Sequence, residues 1–276
     1  MTLREAYALG KNLLKTAEIE EYETDAWLLL EAVLGCTRND LFMRPEMELS
    51  KEQEEKLQEF LEKRISRIPL QQILGVQYFC GLPFRVTEDV LCPRQDTEVL
   101  VEEAMKRIRP GARILDLCTG SGCILLSLLY LTKGCQGTGS DLSGKALEVA
   151  GDNAKNLGID CELIRGDLFE NIKERFDMIV SNPPYIATKE IATLMPEVRD
   201  HEPRMALDGM EDGLYFYRKI IGSASDYLKD DGWLIFEIGY DQGEAVSTMM
   251  KREGFDQVQV IKDLAGLDRV VAGKRS

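Results

Sequence analysis

The sequence predicts an α/β protein: a mostly parallel sheet with helices on both faces, an antiparallel strand pair at the C-terminal end, and a small N-terminal helical domain. Three observations carry this. From residue 112 onward short apolar runs alternate with amphipathic stretches, the pattern of a parallel sheet wound with helices. Residues 1–72 show helical periodicity and no strand-like run. The last two apolar runs are separated by a short loop, which suits an antiparallel pair but not a crossover.

In order along the chain, Thr24 is positioned to cap a helix through Ala26, Leu28, Leu29, Leu30 and Val33, with Gly35 as its stop. Ser50 and Gln53 have capping-box spacing. They open a helix with Leu57, Phe60, Leu61 and Ile65 on one face, and a charged, solvated face opposite. Pro69 ends this region, which reads as a substrate-recognition domain over residues 1–72. Residues 73–92 read as a β-hairpin linker, with Gly75, Gly81 and Pro83 punctuating the runs Val76–Phe79 and Leu82–Val86. The third segment, 93–276, opens with a helix carrying Val99 to Ile108, capped by Asp96 or Thr97 and closed by Pro110-Gly111. Strands follow at Ala112–Leu117, Gly137–Leu142, Cys161–Arg165, Met178–Ser181 and Trp233–Ile238. Helices lie at Gly122–Leu131, Gly144–Leu157 and Leu214–Leu228, and the closing strand pair at Phe255–Ile261 and Asp268–Ala272.

The chain has 276 residues, 44% of them hydrophobic, enough for an ordinary buried core. No apolar run approaches the ~18–20 residues of a membrane span. The N-terminus lacks the basic region and apolar core of a secretion signal, so the expectation is a cytoplasmic protein. The 34 basic and 48 acidic residues leave a net charge of −14, which argues against broad binding to a phosphate backbone. The 7 cysteines include no C-x-x-C pair and read as reduced, mostly buried thiols. With one histidine, His201, zinc sites rich in His and Ser-His-Asp chemistry are disfavoured.

The chemistry concentrates at predicted strand ends. Asn182-Pro183-Pro184-Tyr185 follows the run Phe176–Val180 and sits where a parallel strand gives way to a loop, the edge at which α/β sheets bind ligands. It offers a polar amide, two prolines that stiffen the backbone and an aromatic face, which together suit a planar group whose nitrogen is modified. A rigid turn is the alternative. Asp116-Leu117-Cys118-Thr119-Gly120-Ser121-Gly122 follows the first strand of this segment, and its glycines permit close approach of a ligand. Asp116 suits a cationic ligand end and would repel a pyrophosphate. Asp141 ends the next strand, roughly 20 residues on, where an acidic group accepts from ribose hydroxyls; a helix cap or an Asx turn is the alternative. Asp167 can accept from an adenine amino group while Leu168 packs on the ring, or the pair is a plain turn. An adenosine with a positively charged tail, S-adenosylmethionine, fits this set better than NAD or ATP, and no triphosphate-binding loop is present.

These motifs resemble class I S-adenosylmethionine-dependent methyltransferases that act on amino nitrogens. Together with Pro93-Arg94-Gln95-Asp96-Thr97-Glu98, His201-Glu202-Pro203, Asp212-Gly213-Leu214 and Asp263–Arg269, they resemble the bacterial release factor glutamine methyltransferases over nearly the whole chain. Gln95 stands where many members have Pro, and Leu168 where some carry an aromatic. The resemblance implies a Rossmann-like class I methyltransferase sheet. It implies S-adenosylmethionine as cofactor, S-adenosylhomocysteine as product and no metal. The implied reaction is methylation of the glutamine of a Gly-Gly-Gln motif in class I peptide chain release factors, by a monomer with no direct contact to nucleic acid or membrane. Asn182, Pro183, Pro184 and Tyr185 would bind the substrate. Asp116, Cys118, Thr119, Gly120, Ser121, Gly122, Asp141, Asp167, Leu168 and Asn182 would hold the cofactor.

In catalysis, the Asn182 oxygen and the Pro183 carbonyl would each accept one N–H of the substrate amide, bonds that strengthen as positive charge develops on nitrogen. Tyr185 would pack on the amide plane. No strong base is needed before transfer, so His201 is read as structural, with eventual proton acceptance as its alternative. Arg94 and Glu98 either order the cofactor or substrate loop, or pair with each other. The competing functions are an adenine amino-group methyltransferase acting on DNA or RNA, a glutamine methyltransferase acting on a ribosomal protein, and a silent cofactor-binding module.

Overall fold

The computed structural model describes residues Met1–Ser276. Two compact units emerge: Met1–Gly75 with Met195–His201, and Val76–Leu194 with Glu202–Ser276.

The first unit is helical. Its helices are α1 (Leu3–Thr16), α2 (Tyr22–Leu34), α3 (Asp40–Met43), α4 (Lys51–Ile65) and α5 (Leu70–Leu74), joined by Pro196–His201, which is α9 in chain order. Leu3, Leu14, Trp27, Leu30, Leu57 and Leu61 meet in one apolar core. Helix α4 opens on the capping box of Ser50 and Gln53, as the spacing predicts. Helix α2 starts three residues earlier than expected, with Glu21 rather than Thr24 at its cap position. Asp25 N–H already donates to Glu21 O at 2.9 Å, so Thr24 lies inside the first turn and caps nothing. On α4 the inward position expected for Ile65 belongs to Arg64, while Ile65 is 38% exposed. The Arg64 guanidinium is held by Asp25 at 2.7 Å and Glu197 at 3.0 Å, and those partners turn it inward. Pro69 precedes α5 rather than ending the helical region.

The second unit begins with the antiparallel hairpin β1 (Val76–Phe79) and β2 (Leu82–Arg85). Phe79, Leu82 and Phe84 are buried in the core of this unit. After a 3-10 turn at Gln95–Thr97 come α6 (Glu98–Met105), β3 (Arg113–Leu117), α7 (Cys123–Leu131), β4 (Gln136–Asp141), α8 (Gly144–Leu157), β5 (Glu162–Arg165) and β6 (Phe176–Ser181). Beyond α9 lie α10 (Arg204–Leu207), α11 (Tyr215–Tyr227), β7 (Leu228–Glu237), α12 (Gly243–Arg252), β8 (Phe255–Lys262) and β9 (Asp268–Arg275). Neither Asp96 nor Thr97 caps α6 through its side chain; Asp96 pairs with Arg269 at 3.3 Å and Thr97 is buried.

The sheet order is β5-β4-β3-β6-β7-β9-β8. Strands β3 to β7 are parallel, while β9 runs antiparallel to both β7 and β8. Side chains alternate across the sheet. Ile114, Val180, Ile235 and Val270 enter one core with α6 and α7, and Leu115, Ile179, Phe236 and Val271 enter the other with α11 and α12. Both faces are covered, which is why these strands read as continuous apolar runs. The strand order reverses at β3, so the crevice beyond its carboxyl end is the expected ligand position.

Candidate active site

A cavity of about 450 Å³ opens at that crevice, within the size range of small-molecule sites. Four strand ends feed it. The β3–α7 loop supplies Cys118, Thr119, Gly120 and Ser121, and β4 ends in Asp141; Asp167 and Leu168 follow β5, and Asn182 and Pro184 follow β6.

The glycine loop is cross-braced by short polar contacts. Thr119 N–H donates to Ser140 O at 3.1 Å, and the Thr119 hydroxyl donates to Asp116 Oδ2 at 2.6 Å. Gly122 takes a φ of +79° at the start of α7, and a Cβ there would come within 3.1 Å of Leu126 Cδ1. Gly120 N–H donates to Asp141 Oδ2, and Ser143 N–H to Asp141 Oδ1, both at 2.9 Å. The second bond is an Asx turn, and the cap of α8 is Ser143, whose hydroxyl accepts from Ala146 N–H. A carboxylate offers about four acceptor sites, so Asp141 keeps capacity for a ligand after both bonds. Burial pushes its carboxyl up, against the pull of these N–H groups.

Asp116 is fully buried and does not line the cavity. Its Oδ1 has no hydrogen-bond partner, and burial raises its carboxyl to about 7, against the Thr119 hydroxyl that donates to it. The site thus contains Asp116 as a brace under the loop rather than as part of its wall.

The loop after β6 is fastened on both sides of Asn182. The Ser181 hydroxyl donates to Leu117 O at 2.7 Å. The Tyr185 hydroxyl donates to Glu237 Oε1 at 3.3 Å, and Gln242 Nε2 donates to Tyr185 O at 2.9 Å. Gly213, with φ +73°, passes so close to the Tyr185 carbonyl that any Cβ would collide with it. Burial drives the Tyr185 hydroxyl well above its ordinary range, with the Glu237 carboxylate adding to the effect. Pro183 and Pro184 are buried, whereas Asn182 is half-buried, lines the cavity and makes no hydrogen bond within the protein.

Of the residues picked out in the sequence, Cys118, Thr119, Gly120, Ser121, Asp141, Asp167, Leu168, Asn182 and Pro184 line this one cavity; Asp116, Gly122, Pro183 and Tyr185 stand behind it. Two further wall segments complete it, of which sequence reasoning singles out only the Pro93–Glu98 motif, with Arg94 read as ordering the cofactor or substrate loop, and Pro203. One is Asp89–Thr97; the other is Pro203–Met210, stitched to the loop after β6 by Ile186 N–H to Leu207 O at 3.0 Å and Gly209 N–H to Ile186 O at 2.8 Å. The expected Arg94–Glu98 pair does not form. Arg94 pairs with Glu202 at 2.8 Å, and Glu98 accepts from Cys80 N–H at 2.7 Å. His201 belongs to the helical unit, where its Nε2 lies 3.0 Å from Ser66 O. All seven cysteines are free, three of them buried and four half-buried. Cys118, Leu168 and Met210, all in the wall, have positive φ; such strained backbone concentrates at functional sites and has no signature in residue type.

Known proteins resemble this chain over nearly its whole length. A family model described as the PrmC N-terminal domain matches residues 5–75, and one described as the methyltransferase small domain matches residues 94–198. A release factor glutamine methyltransferase of Geobacter sulfurreducens is 43% identical, over 99% of this chain and 96% of its own length. One of Caulobacter vibrioides is 42% identical, over 100% and 97%. Among solved structures, a methyltransferase from Pyrococcus furiosus aligns with a TM-score of 0.55 at 16% identity, covering 71% of this chain and 90% of that one. The Thermus thermophilus 16S rRNA N2 G1207 methyltransferase, solved with AdoMet and guanosine, aligns at 0.53 and 15%, covering 73% and 50%. At such identities the structural likeness bears on the fold alone.

Proposed function

The chain belongs to the release factor glutamine methyltransferase family, and from that membership we propose its reaction: transfer of a methyl group from S-adenosylmethionine to the side-chain amide nitrogen of a glutamine in a peptide chain release factor. The glutamine assigned is that of the Gly-Gly-Gln motif of class I release factors. One observation carries the reading to the residue level. Asn182 offers an amide with no partner in the protein, in the cavity wall, on a loop locked on either side by Ser181 and Tyr185.

S-adenosylmethionine, when bound, supplies an electrophilic methyl group. The protein's task is to bind, orient and desolvate. Asp141 would receive the ribose hydroxyls, and Asp167 with Leu168 would take the adenine. Cys118 to Gly122 form the backbone cradle, which Asp116 stiffens through Thr119. Asn182 Oδ1 and the Pro183 carbonyl accept the two N–H groups of the glutamine amide. Those bonds push electron density toward nitrogen and strengthen as positive charge develops there. The buried Pro184 stiffens the loop, and Tyr185, tethered through its hydroxyl and its carbonyl, holds that loop from behind the cavity wall rather than packing on the amide plane. The proton leaves after transfer, so no strong base is required. Sulfonium chemistry needs no metal, and we assign none. The helical unit is the recognition domain for the release factor, and the enzyme acts as a monomer on protein rather than nucleic acid.

Mass spectrometry of a release factor after incubation with enzyme and S-adenosylmethionine tests this. One added methyl group on the Gly-Gly-Gln glutamine is the expected result. Methylation at another residue, or labelling of RNA or DNA instead, refutes it.

A further inference from the structure

We propose that Arg94 forms a carboxylate subsite, binding the α-carboxylate of the cofactor's methionine tail. The inference rests on the S-adenosylmethionine reading above and extends it to a residue and a chemical group.

The order of the strands sets which end of the ligand lies where. Adenine and ribose belong to the β5 and β4 ends, through Asp167 and Asp141, and the tail therefore extends toward β3 and β6. Arg94 lines the cavity, and, two residues on, Asp96 pairs with Arg269 of β9 at 3.3 Å, which puts this stretch of wall on the β6 side of β3. The wall is otherwise poor in cations. Four aspartates line it, and the other arginine, Arg204, is mostly exposed and pairs with Asp208 at 3.4 Å. A methionine tail carries one carboxylate, and in such a wall it needs a dedicated positive partner.

Arg94 is built for the role. Its Nη2 donates to both oxygens of Glu202, each at 2.8 Å, and the Glu202 side chain is fully buried. That contact aims the guanidinium and uses one of its three nitrogens. Nε and Nη1 make no hydrogen bond within the protein, and the side chain stays 42% exposed. Nε and Nη1 share no edge, so an oriented guanidinium held this way offers a carboxylate one charge-assisted hydrogen bond from either of them, with its full positive charge beside it.

Calorimetry with the full-length chain and two ligands tests the assignment: S-adenosylmethionine and decarboxylated S-adenosylmethionine, which keeps the sulfonium and the amine. Wild type is expected to favour the carboxylated ligand by about 100-fold, the scale of a charge-assisted pair. Arg94→Met is expected to bring that ratio within about threefold of unity by weakening S-adenosylmethionine alone. Arg94→Met/Glu202→Gln, which leaves no unpaired buried charge, should behave alike if the single variant is unstable. A ratio that survives in the folded double variant, or equal loss of both ligands there, overturns the proposal in favour of a wall brace. A wild-type ratio of one overturns the subsite while leaving the methyltransferase reading intact. Wild type that binds neither ligand overturns both.

Discussion

Asn182 and Asp116 belong to the ends of two adjacent strands but differ in role: one lines the cavity, the other braces a loop that lines it. Asn182→Ala should leave S-adenosylmethionine affinity within a few-fold of wild type by calorimetry, because Asp141 and the glycine loop are untouched. Its kcat for release factor methylation should fall by about 100- to 1,000-fold, as when one charge-stabilising partner is lost. Near-normal turnover would refute the role. Asp116 predicts a pH effect on stability instead. Its folded carboxyl titrates at about 7, against an ordinary value of 3.8, so the native state holds the extra proton between those limits. Its contribution to stability therefore declines as pH rises through that window and is flat above it, a change on the order of a few kcal/mol. Denaturant titrations from pH 5 to 8 should show a flatter profile for Asp116→Asn than for wild type; parallel profiles would refute it. Asp141 was legible in the sequence through its position after a strand. The burial of Asp116 was not, because an acidic residue before a glycine loop looks the same whether it faces a ligand or a core.

At the scale of elements, the helices that diverge from expectation do so where a polar side chain is drawn inward. Arg64 displaces Ile65 from the apolar face of α4 because Asp25 and Glu197 share its guanidinium, and Arg67 joins Glu197 at 3.1 Å. Glu197 is held below the usual carboxylate range: burial opposes this, but its backbone bond and the two arginines outweigh it. Asp25 is pushed above the range by burial despite Arg64. Arg64→Met should destabilise the protein by about 3–5 kcal/mol, since two buried carboxylates lose a partner at once. Adding Asp25→Asn and Glu197→Gln should restore much of the loss, read as urea midpoints; a single variant that melts like wild type would show the cluster to be idle. Periodicity could not have found this arrangement, because Glu197 lies 133 residues from Arg64. The strands tell the opposite story. Residues 114–117, 178–181 and 234–237 are buried on both faces, so apolar run length alone located them.

For the whole molecule, the net charge of −14 carries a prediction of its own. Fluorescence polarisation with labelled RNA or DNA at physiological salt should show binding no tighter than a Kd of about 10⁻⁴ M, since the excess of acidic over basic residues repels a phosphate backbone. Tight, salt-sensitive binding would reopen the nucleic-acid reading. The sequence by itself determined the α/β class, the crevice-forming loops, the cofactor type and the family. The class and the loops follow from strand and helix periods, the cofactor type from the glycine loop and the acidic residues at strand ends, and the family from the resemblance those motifs carry. Only the tertiary structure decided that Arg94 pairs with Glu202 rather than Glu98, that Pro203–Met210 walls the cavity, and that Asp116 and Tyr185 stand behind its surface. These facts depend on which distant side chains meet after the sheet has closed, and on how burial sorts polar groups between core and cavity. Residue type and local spacing carry no record of either.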